Sequence, residues 1–330
     1  MQKKRVVLII PYFGKFPNYF NYWMESALKN PKFDFLIFTD NHLKSRANIK
    51  FIFMDFLEFK KKLQDKVDFK ICLNEPYKIC DYRPLFGLAL QEYIKKYEFW
   101  GFCDLDLIWG DLSKFVTDSR LNNYDKIYNL GHLTIIRNNS KMNNLWKMKH
   151  HLSQTYRYDE AFRTPYPCHF DETDGLTKIC KLKGVNEYNS IDFADVDWTK
   201  FNFFLIGLQK EIVPGVFEWE NGKLIYYWLE KDEVKYRELA YAHLQKRKIE
   251  ADKYTFTGIQ NQFIIIPNRI IVNANPIQYL KKQKIVSKYS YYNKRKIQEF
   301  IKRKKNHSVQ QKIYRDFLMK YWRILLDRKK

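Results

Sequence analysis

The first half of the chain alternates between strand-like and helix-like spacing of its apolar residues. Arg5 is followed by an unbroken apolar run over residues 6–10 that ends at Pro11, which is typical of a strand that is buried on both faces. Helical spacing follows over residues 19–28, and strand-like runs cover residues 33–38 and 49–54. This order predicts an α/β fold with a mostly parallel, Rossmann-type sheet that is flanked by helices.

Further elements are predicted later in the chain. Proline is favoured in the first turn of a helix, so we expect a helix from Pro84 to about Tyr97. Residues 124–128 and 132–136 have the composition of strands, and Asn221-Gly222 predicts a hairpin within residues 219–228.

Several polar or aromatic residues follow directly after predicted strands. Ligands of parallel sheets bind beyond the carboxyl ends of the strands. We therefore expect three strand ends to share one edge, which carries Pro11, Tyr12, Phe13, Thr39, Asp40, Asp104 and Asp106.

Asp104 and Asp106 follow a buried-type run that ends at Cys103. On an extended backbone, side chains two residues apart point in the same direction. Two like charges at the end of a buried strand are costly unless a cation lies between them, and a divalent metal with oxygen ligands is the natural partner. Alternatively, one aspartate caps the next helix and the other faces solvent.

Other candidate residues are open to two interpretations each. Lys78 and Arg83 suit a diphosphate, but both could instead be solvated or pair with Asp81.

The acidic run from Asp171 and Glu172 to Asp174 suits either a helix N-terminus or a catalytic base. His243 is either structural or a third metal ligand, with Lys246 close enough in sequence to hold phosphate.

Charge is distributed unevenly along the chain. The 330 residues carry a net charge of +22, and residues 276–330 contain 18 of the 59 Lys and Arg residues but only three acids. We predict a catalytic domain over residues 1–275 and a basic amphipathic helical tail over 276–330. Such a tail suits an anionic membrane surface, although it could also pack on the domain.

Composition narrows the location and the class of the protein. Five scattered cysteines without a Cys-x-x-Cys pair favour a reducing cytosol, and the first apolar run is too short to span a bilayer. A basic, aromatic chain is also typical of a nucleic-acid-binding protein. However, the excess charge lies in the tail, and such a protein does not need paired carboxylates at a strand end.

A metal-dependent nucleotidyltransferase is a further alternative, but it would need a Gly-Ser phosphate motif that we do not find.

Together, five motifs resemble the GT-A class of nucleotide-sugar glycosyltransferases. More narrowly, they are similar to a family of bacterial enzymes with the patterns IPYFG, YKxCDxRPxxG, CDxDxIxGD, FDE and HxQKR. In this sequence the motifs cover residues 10–14, 77–87, 103–111, 170–172 and 243–247.

The resemblance implies a GT-A-like fold and a metal-dependent hexosyltransferase with a UDP-sugar donor. Asp106 and His243 would ligate Mn²⁺ or Mg²⁺, and Asp104 would contact the metal or the ribose. Lys246 would contact the diphosphate. The other implied donor-site residues are Pro11, Tyr12, Phe13, Thr39, Asp40, Lys78 and Arg83.

Asp171 or Glu172 would act as base in an inverting enzyme, or orient the acceptor in a retaining one. The acceptor would be a glycan or a lipid-linked sugar in the synthesis of capsule or lipopolysaccharide. The enzyme would then lie on the cytoplasmic face of the membrane, and no nucleic acid is expected as a partner.

Overall fold

The protein is described by a computed structural model that covers residues 4–152, 155–245, 247–251, 261–286 and 301. Its strands, in chain order, are β1 (Val6–Pro11), β2 (Phe33–Thr39), β3 (Ile49–Phe53), β4 (Phe99–Cys103), β5 (Leu107–Trp109), β6 (Lys126–Leu130), β7 (Leu133–Arg137), β8 (Glu187–Tyr188), β9 (Ala194–Asp195), β10 (Gly215–Glu220), β11 (Lys223–Glu230), β12 (Glu233–Glu238), β13 (Tyr241–His243), β14 (Glu250–Ala251), β15 (Gln262–Ile266) and β16 (Arg269–Val272).

The helices connect these strands and cover the central sheet. The α-helices are α1 (Phe20–Leu28), α2 (Phe56–Gln64), α3 (Phe86–Ala89), α4 (Gln91–Ile94), α5 (Asp118–Asn123), α6 (Ser140–Asn144), α7 (Tyr158–Arg163), α8 (Leu176–Leu182) and α9 (Pro276–Lys282). Short 3₁₀ helices span Pro76–Leu85, Leu112–Lys114 and Leu145–Lys147. No helix within these described ranges is long and apolar enough to cross a bilayer.

The central sheet has seven strands in the order β3-β2-β1-β4-β7-β6-β8. Strand β1 pairs in parallel with β2 and β4, and β2 pairs in parallel with β3, whereas β7 runs antiparallel to β4 and β6. Alternate residues of β1 enter two different apolar clusters, one on each face of the sheet. The predicted α/β fold with a mostly parallel sheet is therefore confirmed, and the buried strand predicted from Arg5 to residue 10 lies one residue later, at Val6–Pro11.

The helix predicted from Pro84 to Tyr97 is wrong as a single element. A 3₁₀ helix covers Pro76–Leu85, and α3 and α4 are separated at Leu90, whose φ of −114° lies outside helical geometry. Leu90 is fully buried. The predicted single helix is therefore replaced by a 3₁₀ helix and two short α-helices.

A second sheet of six strands follows in the order β12-β11-β10-β15-β16-β14. Its hairpin β10/β11 turns at Asn221 and Gly222, both with positive φ, as the dipeptide predicted. Helix α9 packs on this sheet through Leu280, which joins Val216 and Ile264 in one cluster. The remainder of the predicted basic tail, except for residues 283–286 and 301, lies outside the described residues.

A third sheet has three strands, in the order β5-β13-β9. Strand β13 pairs antiparallel with β5 and parallel with β9. This pairing places the end of β13 beside the Asp104-Leu-Asp106 segment, although the two are far apart in sequence.

Candidate active site

One cavity of about 840 Å³ opens at the carboxyl ends of β1 and β4. Its position is the one expected for ligand sites of parallel sheets. Nine of the residues singled out in the sequence line it, namely Pro11, Tyr12, Phe13, Arg83, Asp104, Asp106, Asp171, Glu172 and His243.

His243 lies opposite the Asp104-Leu-Asp106 segment because of strand register. It pairs with Leu107, and the Leu244 N–H donates to the Asp106 carbonyl at 2.9 Å. The His243 Nε2 atom is 3.5 Å from Asp106 Oδ1 and 3.9 Å from Asp104 Oδ2. Two carboxylates and one imidazole thus converge at the cavity wall.

These three side chains form a donor set suited to a divalent cation. One ligand atom from each residue can be chosen so that all lie within 4.8 Å of one another. Oxygen ligands suit Mg²⁺ and Mn²⁺, and an imidazole nitrogen is compatible with Mn²⁺. The residues therefore fit the metal that the sequence motifs imply.

The other ring nitrogen of His243 is held by a carboxylate. His243 Nδ1 lies 2.7 Å from Asp195 Oδ1, and the Gln245 amide donates to the same oxygen at 2.6 Å. Burial alone would lower the pKa of His243. The surrounding carboxylates of Asp106, Asp195 and Asp104 outweigh burial and raise the pKa to about 10. The concentration of negative charge therefore favours a cation at this point of the cavity.

A second acidic cluster in the same region has its charge already balanced. Asp81 is fully buried, as is Lys78, and the Lys78 ammonium donates to its carboxylate. The backbone N–H groups of Cys168 and Phe170 also donate to Asp81 at 2.9 Å. Although Cys80, Asp81 and Asp171 lie close together, Lys78 supplies the cation there, so no metal is needed.

Lys78 therefore does not line the cavity. Its ammonium also donates to the carbonyls of Ala161 at 2.9 Å and Tyr166 at 2.8 Å. All of its resolved contacts point into the protein, and this placement does not support the predicted contact with a donor diphosphate. Lys246 lies outside the described residues, so its predicted phosphate contact stays a prediction.

Arg83 connects the metal-type carboxylates to the acidic run that begins at Asp171. Its guanidinium donates to Asp104, to Asp171 Oδ2 at 2.9 Å and to the Gly131 carbonyl at 2.8 Å. Its planar group thus bridges two carboxylates from distant parts of the sequence.

Asp171 is almost completely buried, and its Oδ1 atom has no hydrogen-bond partner among the described residues. Burial raises the pKa of Asp171 well above its usual range, although Arg83 opposes the effect. Glu172 differs, because its Oε1 atom accepts the Gly131 N–H at 2.7 Å. A Cβ atom at Gly131 would lie 2.3 Å from this oxygen, so glycine allows the close approach.

Aromatic side chains form another part of the cavity lining. Tyr12 stacks on Phe16 with ring centroids 5.1 Å apart, and Phe13 packs edge-on against Phe56. Asp40 accepts the Gly14 N–H at 2.9 Å and so shapes this loop. Thr39 is fully buried. Neither Thr39 nor Asp40 lines the cavity, because Thr39 is buried in the protein and Asp40 is exposed outside the cavity.

Sequence reasoning missed several residues of the site, including Asp195, Trp198 and Gln245, which the structure brings to His243 or to the cavity. A signal existed, because Asp195-Val-Asp197 is a second Asp-x-Asp pattern after an apolar residue. The two aspartates have separate tasks, since Asp197 accepts the Thr199 N–H at 2.8 Å in a turn.

His132 was also missed. Its buried ring packs against that of His243, with centroids 4.5 Å apart. Burial, together with the neighbouring His243, lowers the pKa of His132 to about 3, so the ring is neutral at pH 7. The Tyr241 hydroxyl lies 3.0 Å from its Nδ1 atom, which fixes the ring beside the metal-type residues.

Comparisons with known proteins give a family but no assigned activity. The family model described as "Family of unknown function (DUF6625)" matches residues 8–274. A search of curated proteins gave no significant match.

Among solved structures, the chain is similar to the galactosyltransferase LgtC in complex with donor and acceptor sugar analogs, at 14% identity over 57% of this chain and 75% of that chain, with a TM-score of 0.33. A second similar structure is an active-site mutant of LgtC, at 16% identity over 40% of this chain and 57% of that chain, with a TM-score of 0.25. These similarities are too partial to assign an overall fold or an activity.

Proposed function

The chain belongs to this family of unknown function, and we propose that it is a metal-dependent glycosyltransferase of the GT-A type with a nucleotide-sugar donor. The observation that carries the proposal is the meeting of Asp104, Asp106 and His243 at the wall of one cavity, beyond the carboxyl ends of parallel strands. Three carboxylates surround one imidazole there, and a divalent cation suits such a concentration of negative charge.

On the donor side, Asp104, Asp106 and His243 would hold Mn²⁺ or Mg²⁺. The ion would supply Lewis-acid stabilisation of the negative charge that develops on the leaving diphosphate. Tyr12 and Phe13 offer aromatic faces at the cavity wall for the base of the nucleotide, and UDP-sugars are the proposed donors.

On the acceptor side, Asp171 and Glu172 both line the cavity, and either carboxylate would bind a sugar hydroxyl. Asp171 Oδ1 lacks a partner among the described residues but is buried, whereas Glu172 is partly exposed and uses Oε1 to accept the Gly131 N–H. A base must reach the hydroxyl proton directly or through one water.

The acceptor class follows from the motifs and the charge distribution. We propose a glycan or lipid-linked sugar of a bacterial surface polysaccharide, such as capsule or lipopolysaccharide, glycosylated at the cytoplasmic face of the membrane. The 18 basic residues among the last 55 are the feature that favours an anionic surface. Most of them lie outside the described residues, so membrane contact by the tail stays a prediction.

A thermal-shift screen of UDP-, GDP- and CMP-sugars with and without Mn²⁺ tests the proposal, followed by detection of the released nucleotide. We expect Mn²⁺-dependent stabilisation by one donor class, and its loss in Asp106→Asn. Asp111→Asn is the matched control, because Asp111 lies in the same motif but caps the 3₁₀ helix Leu112–Lys114, and asparagine caps equally well. Stabilisation that is independent of metal, or unchanged in Asp106→Asn, would refute the proposed donor site.

A further inference from the structure

Asp195 is fixed beside His243 by the backbone. The two residues are direct partners in the β9/β13 register, and Asp195 Oδ1 lies 2.7 Å from His243 Nδ1. The Gln245 amide donates to the same oxygen at 2.6 Å, which holds the carboxylate in one orientation. The His243 side chain is only 12% exposed, so bulk water does not replace this contact.

We propose that Asp195 is the positioning residue of His243 and that the affinity of the site for Mn²⁺ depends on it. This inference rests on the proposed function, in which His243 is a metal ligand. A carboxylate that accepts a hydrogen bond from Nδ1 keeps the proton on that atom. In the neutral imidazole, the lone pair is then on Nε2, the atom that lies 3.5 Å from Asp106 Oδ1.

The other neighbours of the His243 ring occupy different positions around it. His132 packs against His243 but is itself neutral and has Tyr241 as its partner. On the cavity side, Asp104 and Asp106 lie 3.9 and 3.5 Å from Nε2. The two ring nitrogens thus face different carboxylates, Nε2 those of the cavity and Nδ1 that of Asp195.

The test is Mn²⁺ affinity measured by electron paramagnetic resonance on the protein without any sugar donor. Removing a carboxylate that orients a metal-bound histidine typically weakens affinity about 10- to 100-fold, and we expect a loss of this size in Asp195→Asn. Asp195→Glu should recover part of it.

Asp192→Asn is the matched control. Asp192 is also buried and lies three residues away, but it contacts Arg120 at 3.1 Å, Tyr188 at 3.0 Å and Tyr128 at 3.2 Å rather than His243. We expect its Mn²⁺ affinity to equal that of the wild type. Equal losses in both variants would show that loosening of this segment, not positioning of His243, is responsible.

A double-mutant cycle separates the inference from the proposed function. If Asp195 acts through His243, Asp195→Asn should cause no further loss of Mn²⁺ affinity in a His243→Ala background. Additive losses would overturn the positioning role. If Asp106→Asn leaves Mn²⁺ affinity unchanged, the metal site itself fails. If Asp106→Asn weakens binding and Asp195→Asn does not, only the inference fails.

Discussion

Substitution of Lys78 by methionine tests whether this lysine is a structural cation or a donor-binding one. Both members of the Lys78–Asp81 pair are almost completely buried, with side-chain exposures of 1% and 0%. Methionine has a similar length and keeps the apolar contacts but removes the charge. Asp81 would then be a buried carboxylate without a cation.

The expected cost follows from these contacts. Removing one partner of a buried ion pair costs about 3–5 kcal/mol. Asp81 would keep the N–H groups of Cys168 and Phe170 as donors, which limits the loss, but the carbonyls of Ala161 and Tyr166 would lose a charged donor. We therefore expect the free energy of unfolding to fall by about 4 kcal/mol.

The assay is urea unfolding followed by tryptophan fluorescence, with Lys61→Met as control. Lys61 pairs with Asp65 at 3.0 Å, but its side chain is 77% exposed, so its loss should cost at most about 0.5 kcal/mol. A loss below about 1 kcal/mol for Lys78→Met would mean that the pair is solvated. If that stable variant also lost affinity for a UDP-sugar, the donor role predicted from sequence would be supported.

Two further predictions concern stability at low pH and the acceptor side of the site. Although burial opposes it, hydrogen bonds from Lys4 and Tyr97 lower the pKa of Asp34 below its ordinary value of 3.8. The carboxylate therefore stabilises the fold fully above that value and loses this contribution as the pH falls below it. Asp34→Asn should be less stable than the wild type in urea at pH 6, and the difference should shrink at pH 3; a constant difference would contradict the assignment. At Gly131, a Cβ atom would lie 2.3 Å from Glu172 Oε1 and 2.9 Å from Asp171 Oδ2. Since displacements of about 1 Å can cost about 100-fold in rate, Gly131→Ala should lower sugar transfer by this order while its melting temperature stays close to that of wild type, and unchanged transfer would remove Asp171 and Glu172 from the proposed reaction.

The central sheet could be predicted from sequence because its strands are buried on both faces. A strand such as β1 then contains no polar residues, and its end is marked by Pro11. The placement of Asp104 and Asp106 followed from the same pattern, since a pair of charges directly after such a run favours the carboxyl end of the strand.

The support of the site could not be predicted in the same way. Asp195 reaches His243 through a pairing between strands of two and three residues, and elements this short leave no periodic pattern. Lys78 was assigned to the cavity because a cation near the motifs suits phosphate. Its spacing of three residues from Asp81 was equally compatible with the buried pair that the structure contains, and only the packing of residues 161–170 decides between them.

Arg83 makes the two halves of the site interdependent. Its guanidinium contacts Asp104 on the metal side and Asp171 on the acceptor side, and it also binds the carbonyl of Gly131, whose N–H holds Glu172. A cation bound at Asp104 would compete with Arg83 for that carboxylate, and weaker pairing there would leave Arg83 more strongly engaged by Asp171. Binding of a cation at Asp104 should therefore change how strongly Arg83 neutralises Asp171, the carboxylate next to the acceptor. For this reason, the effect of any Asp171 variant has to be measured on Mn²⁺ affinity as well as on sugar transfer.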